Sequence, residues 1–279
     1  MVRKEGGLFE NTLVYFLLVI GGVVMIFPFL WMVSTALKGH IYVIETPPSL
    51  LPKEPTIANF VEAWTSNNFR LYFTNSLIVA ISTTVLSVLF SAMLAYAFAR
   101  FVFPGKEALF YAFLFTMMIP GLVLIIPQFF LAKALGLRNS LWGLVFVYVA
   151  TTIPLNTFLL RGFFEQLPRE LEEAVLIDGG GYFTIFFRVV VPLSAPALAT
   201  VAIFTFLASW DEFIWALTAI DEMSKRTLPV AIAVFQGAHA TQWGLVFAAS
   251  LIAAMPVIVV FVSLQRYFIG GLTSGAFKG

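Results

Sequence analysis

The stretch Arg169–Leu193, RELEEAVLIDGGGYFTIFFRVVVPL, places four of the chain's fifteen acidic residues within nine positions and follows them with three glycines. The surrounding chain of 279 residues is 60% hydrophobic and only 11% charged, with a mean hydropathy of +0.95. That is more apolar surface than a soluble domain can hide, so the solvent for most of the chain is lipid, and this acidic segment is built for something outside it. Pro168 suits a first helical position, the three glutamates favour the positive end of a helix, and Gly179 to Gly181 end it. Roughly three turns, about 15 Å, lie between. Leu171, Ala174 and Val175 fall at i, i+3 and i+4 and predict one apolar stripe bordered by carboxylates, on a helix too short to cross a bilayer. A second short segment, Tyr182 to Val191, carries Phe183, Phe186, Phe187 and Val190 at helical spacing before Pro192 opens the next span. An amphipathic linker resting on headgroups is the alternative, but such helices are rich in Lys and Arg, and this one is acidic, which favours a basic protein groove.

Working outward, uncharged runs of about 20 residues mark helices able to cross a hydrocarbon core of roughly 30 Å. Six are predicted, at about 12–37, 72–99, 108–132, 140–160, 190–210 and 243–265, so the expected fold is an all-α membrane protein: a single transmembrane domain over 1–279, with a helix-turn-helix at 165–191 between spans four and five. The lead MVRKEGGLFEN resembles that of a signal peptide, but the 26 uncharged residues behind it have no A-x-A site and are read as a retained first span. Nine Lys or Arg flank the spans on the side of the termini and seven on the other, which predicts both termini in the cytoplasm. Two outer loops follow, one over 38–69 containing the Pro-stiffened TPPSLLPKEP and one over 211–242. Pro28, Pro120, Pro127, Pro154, Pro196 and Pro256 fall inside spans, where each removes a backbone donor. A kink in a packed bundle and a gating hinge are both readings of such a proline.

Several function classes are excluded or disfavoured. A net charge of +1 with no basic run gives nucleic acid nothing to bind, and the absence of cysteine rules out disulfides and thiolate chemistry. No Asp, Glu, Lys or Arg sits mid-span, which disfavours an ion-coupled secondary carrier. No G-x-x-x-x-G-K-[ST] occurs, so if ATP drives the protein, another subunit holds it.

The segment EEAVLIDGGGYFTIFFRVVVPL resembles the EAA loop of ATP-binding-cassette importer permeases, with pattern E-A-A-x-x-D-G-A and a downstream I-x-L-P. Glu173, Ala174, Asp178, Gly179 and Pro192 match; Val175 and Gly180 stand where alanine is usual, and Val189 and Val191 replace isoleucine and leucine. SWDEFIWAL, TLPVAIAVFQG, WGLVFAASLIAAMPV and QRYFIGGLTSGAFKG resemble the smaller permease subunit of the maltose-type carbohydrate importers. The resemblance implies a non-catalytic subunit of the inner membrane working with a second permease subunit, two ATPase subunits that carry ATP and magnesium, and an extracytoplasmic sugar-binding protein. It implies that Glu172, Glu173, Ala174, Asp178, Gly179, Gly180 and Pro192 form the coupling loop, that the 211–242 loop meets the binding protein, and that the tail 271–279 reaches the ATPases or frays. A sugar needs matched donors and acceptors with aromatic platforms; Asn75, Gln128, Tyr148, Asn156 and Trp210 are the candidates, each with helix packing as its alternative role. A permease for another solute, such as a glycerol phosphate, and a stand-alone carrier are the competing functions.

Overall fold

The computed structural model describes residues 8–39, 49–66, 68–235 and 242–276. Gln236 and His239, in the predicted outer loop, and the last three residues of the tail lie outside them. Every regular element among the described residues is helical. In chain order these are α1 (Leu8–Ala36), α2 (Ala58–Thr65), α3 (Phe69–Arg100), α4 (Lys106–Phe115), which runs on as a tighter 3₁₀ turn over Thr116–Met118, α5 (Gly121–Ala134), α6 (Leu141–Phe164), α7 (Glu170–Ile177), α8 (Tyr182–Leu193), α9 (Ala195–Trp210), α10 (Ile214–Ala219), α11 (Leu228–Phe235) and α12 (Trp243–Ala276).

Among the described residues, four helices are long and apolar enough to span a membrane: Asn11–Ala36, Phe69–Arg100, Leu141–Phe164 and Trp243–Tyr267. Two more crossings exist if each of two bent pairs counts as one. Span three, expected over 108–132 with Pro120 and Pro127 inside it, is broken by 103° between Met118 and Gly121. Pro120 removes a donor and drives the preceding Ile119 to extended backbone, φ −85° and ψ 120°, which ends the first half. Span five, expected over 190–210, is preceded by a 79° bend at Ser194 and its helix begins at Ala195. Pro192 therefore closes α8 rather than opening the span, and Pro196, early in α9, marks the start instead. Pro28, Pro127, Pro154 and Pro256 sit inside continuous helices.

The chain divides into two compact units, 1–69 with 232–254, and 70–231 with 255–279. In the first, Ile20-to-Leu30 and the preceding turns of α1 present large side chains outward on every face, as lipid permits where water does not. The end of α1 is tied down by Asn59, buried in α2, whose Nδ2 donates to the carbonyls of Ala36 (2.8 Å) and Lys38 (2.6 Å). Asn59→Ala orphans both carbonyls at a cost of about 2 kcal/mol. The expected result is faster amide exchange over 34–39 and 58–66, and unchanged protection would refute this anchoring role.

The second unit holds two buried clusters. One joins α3, α5, α6, α10 and α11 through Val79, Leu144, Tyr148, Trp215, Ile220 and Val230. The other joins α3, α6, α8 and α9 through Ala92, Tyr96, Leu160, Phe164, Ile185, Phe186 and Val201. The alanines of SAMLAYAFA let α3 pack closely in the second cluster, while Val79 serves the first.

Candidate functional site

The acidic stretch folds as two short helices closed by a tight turn. α7 begins at Glu170, two residues after Pro168, so it has eight residues and is about 12 Å long rather than three full turns. Its C-terminus is a Schellman motif: the Gly180 N–H donates to the Val175 carbonyl (2.8 Å), the Gly179 N–H to that of Leu176 (3.0 Å), and Gly179 adopts φ +80°. The absence of a side chain at Gly180 is also required by contact, because a Cβ there would stand 2.5 Å from Val175 Cγ1. α8 contains a π-helical turn over Phe186–Val190.

The predicted stripe is not the face turned inward. Val175 packs against the second cluster, whereas Leu171 and Ala174 are exposed. The other inward residue is Glu172. Its carboxylate meets Arg100 Nε at 2.5 Å and accepts from the Tyr96 hydroxyl at 3.4 Å, with the Arg100 and Glu172 side chains only 7% and 13% exposed. Glu172, one of the residues predicted for the coupling loop, therefore has an intrachain partner. Glu173, Ala174 and Asp178 are exposed, Gly180 is half-buried, and Pro192 lies at the base of the hairpin. The outer surface is apolar as well as acidic: Ile177 is 86% exposed and Phe183 72%, with Leu176 and Tyr182 beside them.

Arg100 and Tyr96 did not stand out in the sequence. The charge that ends the apolar run of α3 read as a topology marker, and nothing local to it pointed to Glu172.

The second feature is a cleft of about 510 Å³ at the break in span three. It is lined by Thr116, Ile119 and Gly121 at the break, Gln128 on α5, Thr151 and Asn156 on α6, and Phe204 and Thr205 on α9. Of the five predicted sugar contacts, Gln128 and Asn156 reach it. Asn156 Nδ2 is shared between Ser87 Oγ on α3 and Thr205 Oγ1 on α9, both at 2.9 Å. The other three make contacts within the fold. Asn75 holds the carbonyls of Ser224 and Arg226 at 2.9 Å, the buried Tyr148 donates to Glu212, and Trp210 packs on Phe73 and Phe206. Glu212 in turn caps α10, accepting from the N–H groups of Trp215 (2.7 Å) and Ala216 (3.0 Å). Near the same end, burial raises the Asp211 carboxyl, while the Lys225 and Ser224 side chains hold Glu222 below its ordinary range.

Residues 87–273, which contain the hairpin and the cleft, match the family profile described as binding-protein-dependent transport system inner membrane component. The chain belongs to that family. This inner membrane component is 36% identical to the trehalose/maltose transport system permease protein MalG of Thermococcus litoralis over 277 residues, covering 97% of this chain and 99% of the relative. It is 36% identical to the diacetylchitobiose uptake system permease protein NgcG of Streptomyces coelicolor over 264 residues, 94% of this chain and 87% of that one. A chain from the crystal structure of a bacterial ABC transporter involved in alginate import shares the fold, with a TM-score of 0.82 at 22% identity, covering 96% of this chain and 99% of that one. A multi-pass permease subunit follows, without catalytic machinery of its own, and a stand-alone secondary carrier does not.

Proposed function

We propose that this chain is one of two permease subunits of a binding-protein-dependent importer that moves sugars into the cell, with ATP and magnesium held on two separate ATPase subunits. The observation that carries the reading is the α7–α8 hairpin: it is held to the body on one side, and on the other it offers the apolar patch Leu176, Ile177, Tyr182 and Phe183, edged by Glu170, Glu173 and Asp178. Exposed apolar surface rimmed by charge is the signature of a docking site. The hairpin faces the cytoplasm together with both termini, and the partner groove is basic. Ala174, Asp178, Gly179 and Gly180 shape the docking surface, Glu173 supplies charge to it, and Pro192 ends the hairpin.

Sugar as cargo is supported by the relatives' substrates and by the cleft, where Gln128 and Asn156 offer amides, Thr116, Thr151 and Thr205 hydroxyls, and Phe204 an aromatic face. The outer loop after Asp211 would meet the sugar-binding protein.

Because the chain has no cysteine, Ile177→Cys gives a single reporter. It is expected to cross-link to the ATPase subunit in assembled complexes, and no cross-link would overturn the docking assignment. Proteoliposomes holding the full complex are expected to accumulate labelled trehalose or diacetylchitobiose only with ATP. Accumulation without ATP would overturn the importer reading, and uptake of glycerol phosphate instead would overturn the cargo.

A further inference from the structure

Three glutamates load the start of α7, yet only Glu172 is turned into the body; Glu170 and Glu173 are exposed. The same guanidinium that pairs with Glu172 also donates, through Nη2, to the Leu167 carbonyl at 2.9 Å. Arg100 thus holds both α7 and the connection that enters it. One turn earlier on α3, the Tyr96 hydroxyl reaches the other Glu172 oxygen, and the Tyr96 ring packs on Phe186 of α8 with centroids 5.5 Å apart. Phe101, just past α3, meets both the Tyr96 ring (5.7 Å) and that of Tyr182 (5.2 Å). The last turn of α3 therefore grips both helices of the hairpin and its lead-in.

Nearer the middle of the same rod, Ser87 bonds residues that line the cleft. Ser87 lies thirteen residues before Arg100, about 20 Å along an unbroken helix. It accepts from Asn156, shares a hydrogen bond with Thr152 at 2.8 Å, and through Asn156 is linked to Thr205. α3 contains no proline or glycine that would let it bend between these points.

Stability alone does not account for a desolvated ion pair here, since apolar replacement of such pairs is often neutral or better. What a forked guanidinium adds is fixed orientation: two donors aimed at acceptors on two segments allow one angle between α7 and α3. We infer that Arg100 and Glu172, with Tyr96, are positioning residues that lock the hairpin to α3, so that displacement of the hairpin is delivered along α3 to the Ser87–Asn156–Thr205 contacts at the cleft. This rests on the docking role proposed above for the hairpin, and it assigns Arg100 no contact with ATPase or cargo.

The test uses the complete complex with its ATPase subunits in lipid nanodiscs, with two single-cysteine reporters. Ile177→Cys reports docking by cross-linking, and Thr151→Cys, exposed at the cleft, reports cleft access through its rate of labelling by a water-soluble maleimide, with and without ATP and vanadate. In the otherwise unaltered chain, vanadate trapping is expected to change the Thr151→Cys labelling rate. With Arg100→Ala the cross-link should persist while that nucleotide-dependent change falls about tenfold. The charge-exchanged pair Arg100→Glu with Glu172→Arg should restore most of it, whereas a purely structural role predicts two additive defects.

A full labelling response in Arg100→Ala with the cross-link intact overturns this inference and leaves the docking role standing. Absence of the cross-link in the Ile177→Cys parent overturns both. If Arg100→Ala loses the cross-link too, the charge-exchanged pair decides: recovery of cross-link and labelling response together supports the lock, and recovery of neither overturns it.

Discussion

Gly180→Val is expected to abolish ATP-driven accumulation while the protein still inserts and the ATPase still turns over. A Cβ at this position would stand 2.5 Å from Val175 Cγ1 and 3.0 Å from the Val175 carbonyl oxygen. Neither neighbour can withdraw: Val175 is β-branched and packed against the Ala92–Phe186 cluster, and its carbonyl accepts the hydrogen bond that closes the turn. Overpacking of this kind costs about 1–3 kcal/mol. Spent on the angle between α7 and α8, that amounts to roughly 5- to 150-fold in the coupling of hydrolysis to transport. Gly179→Val should act in the same direction, because φ +80° is strained for any side chain. Gly181→Ser is the control, since nothing lies within 4 Å of a Cβ there and serine is a favoured cap for α8. The measurement is labelled sugar accumulated per ATP hydrolysed in proteoliposomes. Equal ratios for Gly180→Val and Gly181→Ser would remove the turn from the coupling mechanism.

The turn was legible in the sequence because glycine after a run of acidic and apolar residues has a local cause, the left-handed backbone that ends α7. Spans one, two, four and six were legible for a similarly simple reason, as length and hydropathy settle them without reference to neighbours. The errors all lie where tertiary contact overrides a local rule. Periodicity grouped Leu171, Ala174 and Val175 on one stripe of α7 but could not say that Glu172 turns inward, because its charge partner lies 72 positions away on α3. Composition marked Pro120, Pro127, Pro154 and Pro196 alike as places where a span could kink, but not which would: bends of 103° and 79° fall at Pro120 and just before Pro196, while Pro127 and Pro154 sit inside continuous helices. The sugar candidates show the same ambiguity. Asn75, Tyr148 and Trp210 were chosen as polar or aromatic groups at depth, and depth is also where a fold needs such groups to satisfy its own carbonyls, caps and ring contacts.

Those caps lead to the second large effect, Gly143→Ala, which is expected to destabilise the chain by about 3 kcal/mol or more. Gly143 is in the first turn of α6, and a Cβ there would stand 2.1 Å from the Leu137 carbonyl oxygen. A side chain in that position could move aside, but this is backbone, and it is held from several directions. The Leu137 N–H donates to Ala132 (2.8 Å), and the Leu137 side chain packs on the Leu144–Trp215 cluster. Two residues on, Asn139 adopts φ +54°, donates its N–H to the Ala219 carbonyl at 3.0 Å, and accepts through Oδ1 from Asp221 and Glu222. Arg138 pairs with Asp221 across the same junction. To admit one methyl group, α6 must lift away from this loop, and α5 with Gln128 loses its fixed approach to the cleft. A drop in melting temperature of about 5–10 °C for the detergent-purified chain is the expected reading. Gly136→Ala is the comparison: it meets only the backbone strain of φ +68° with open space around it, so its loss should be near 1 kcal/mol. If Gly143→Ala melts no lower than Gly136→Ala, the α5–α6 corner is not the rigid support of the cleft that its hydrogen bonds describe.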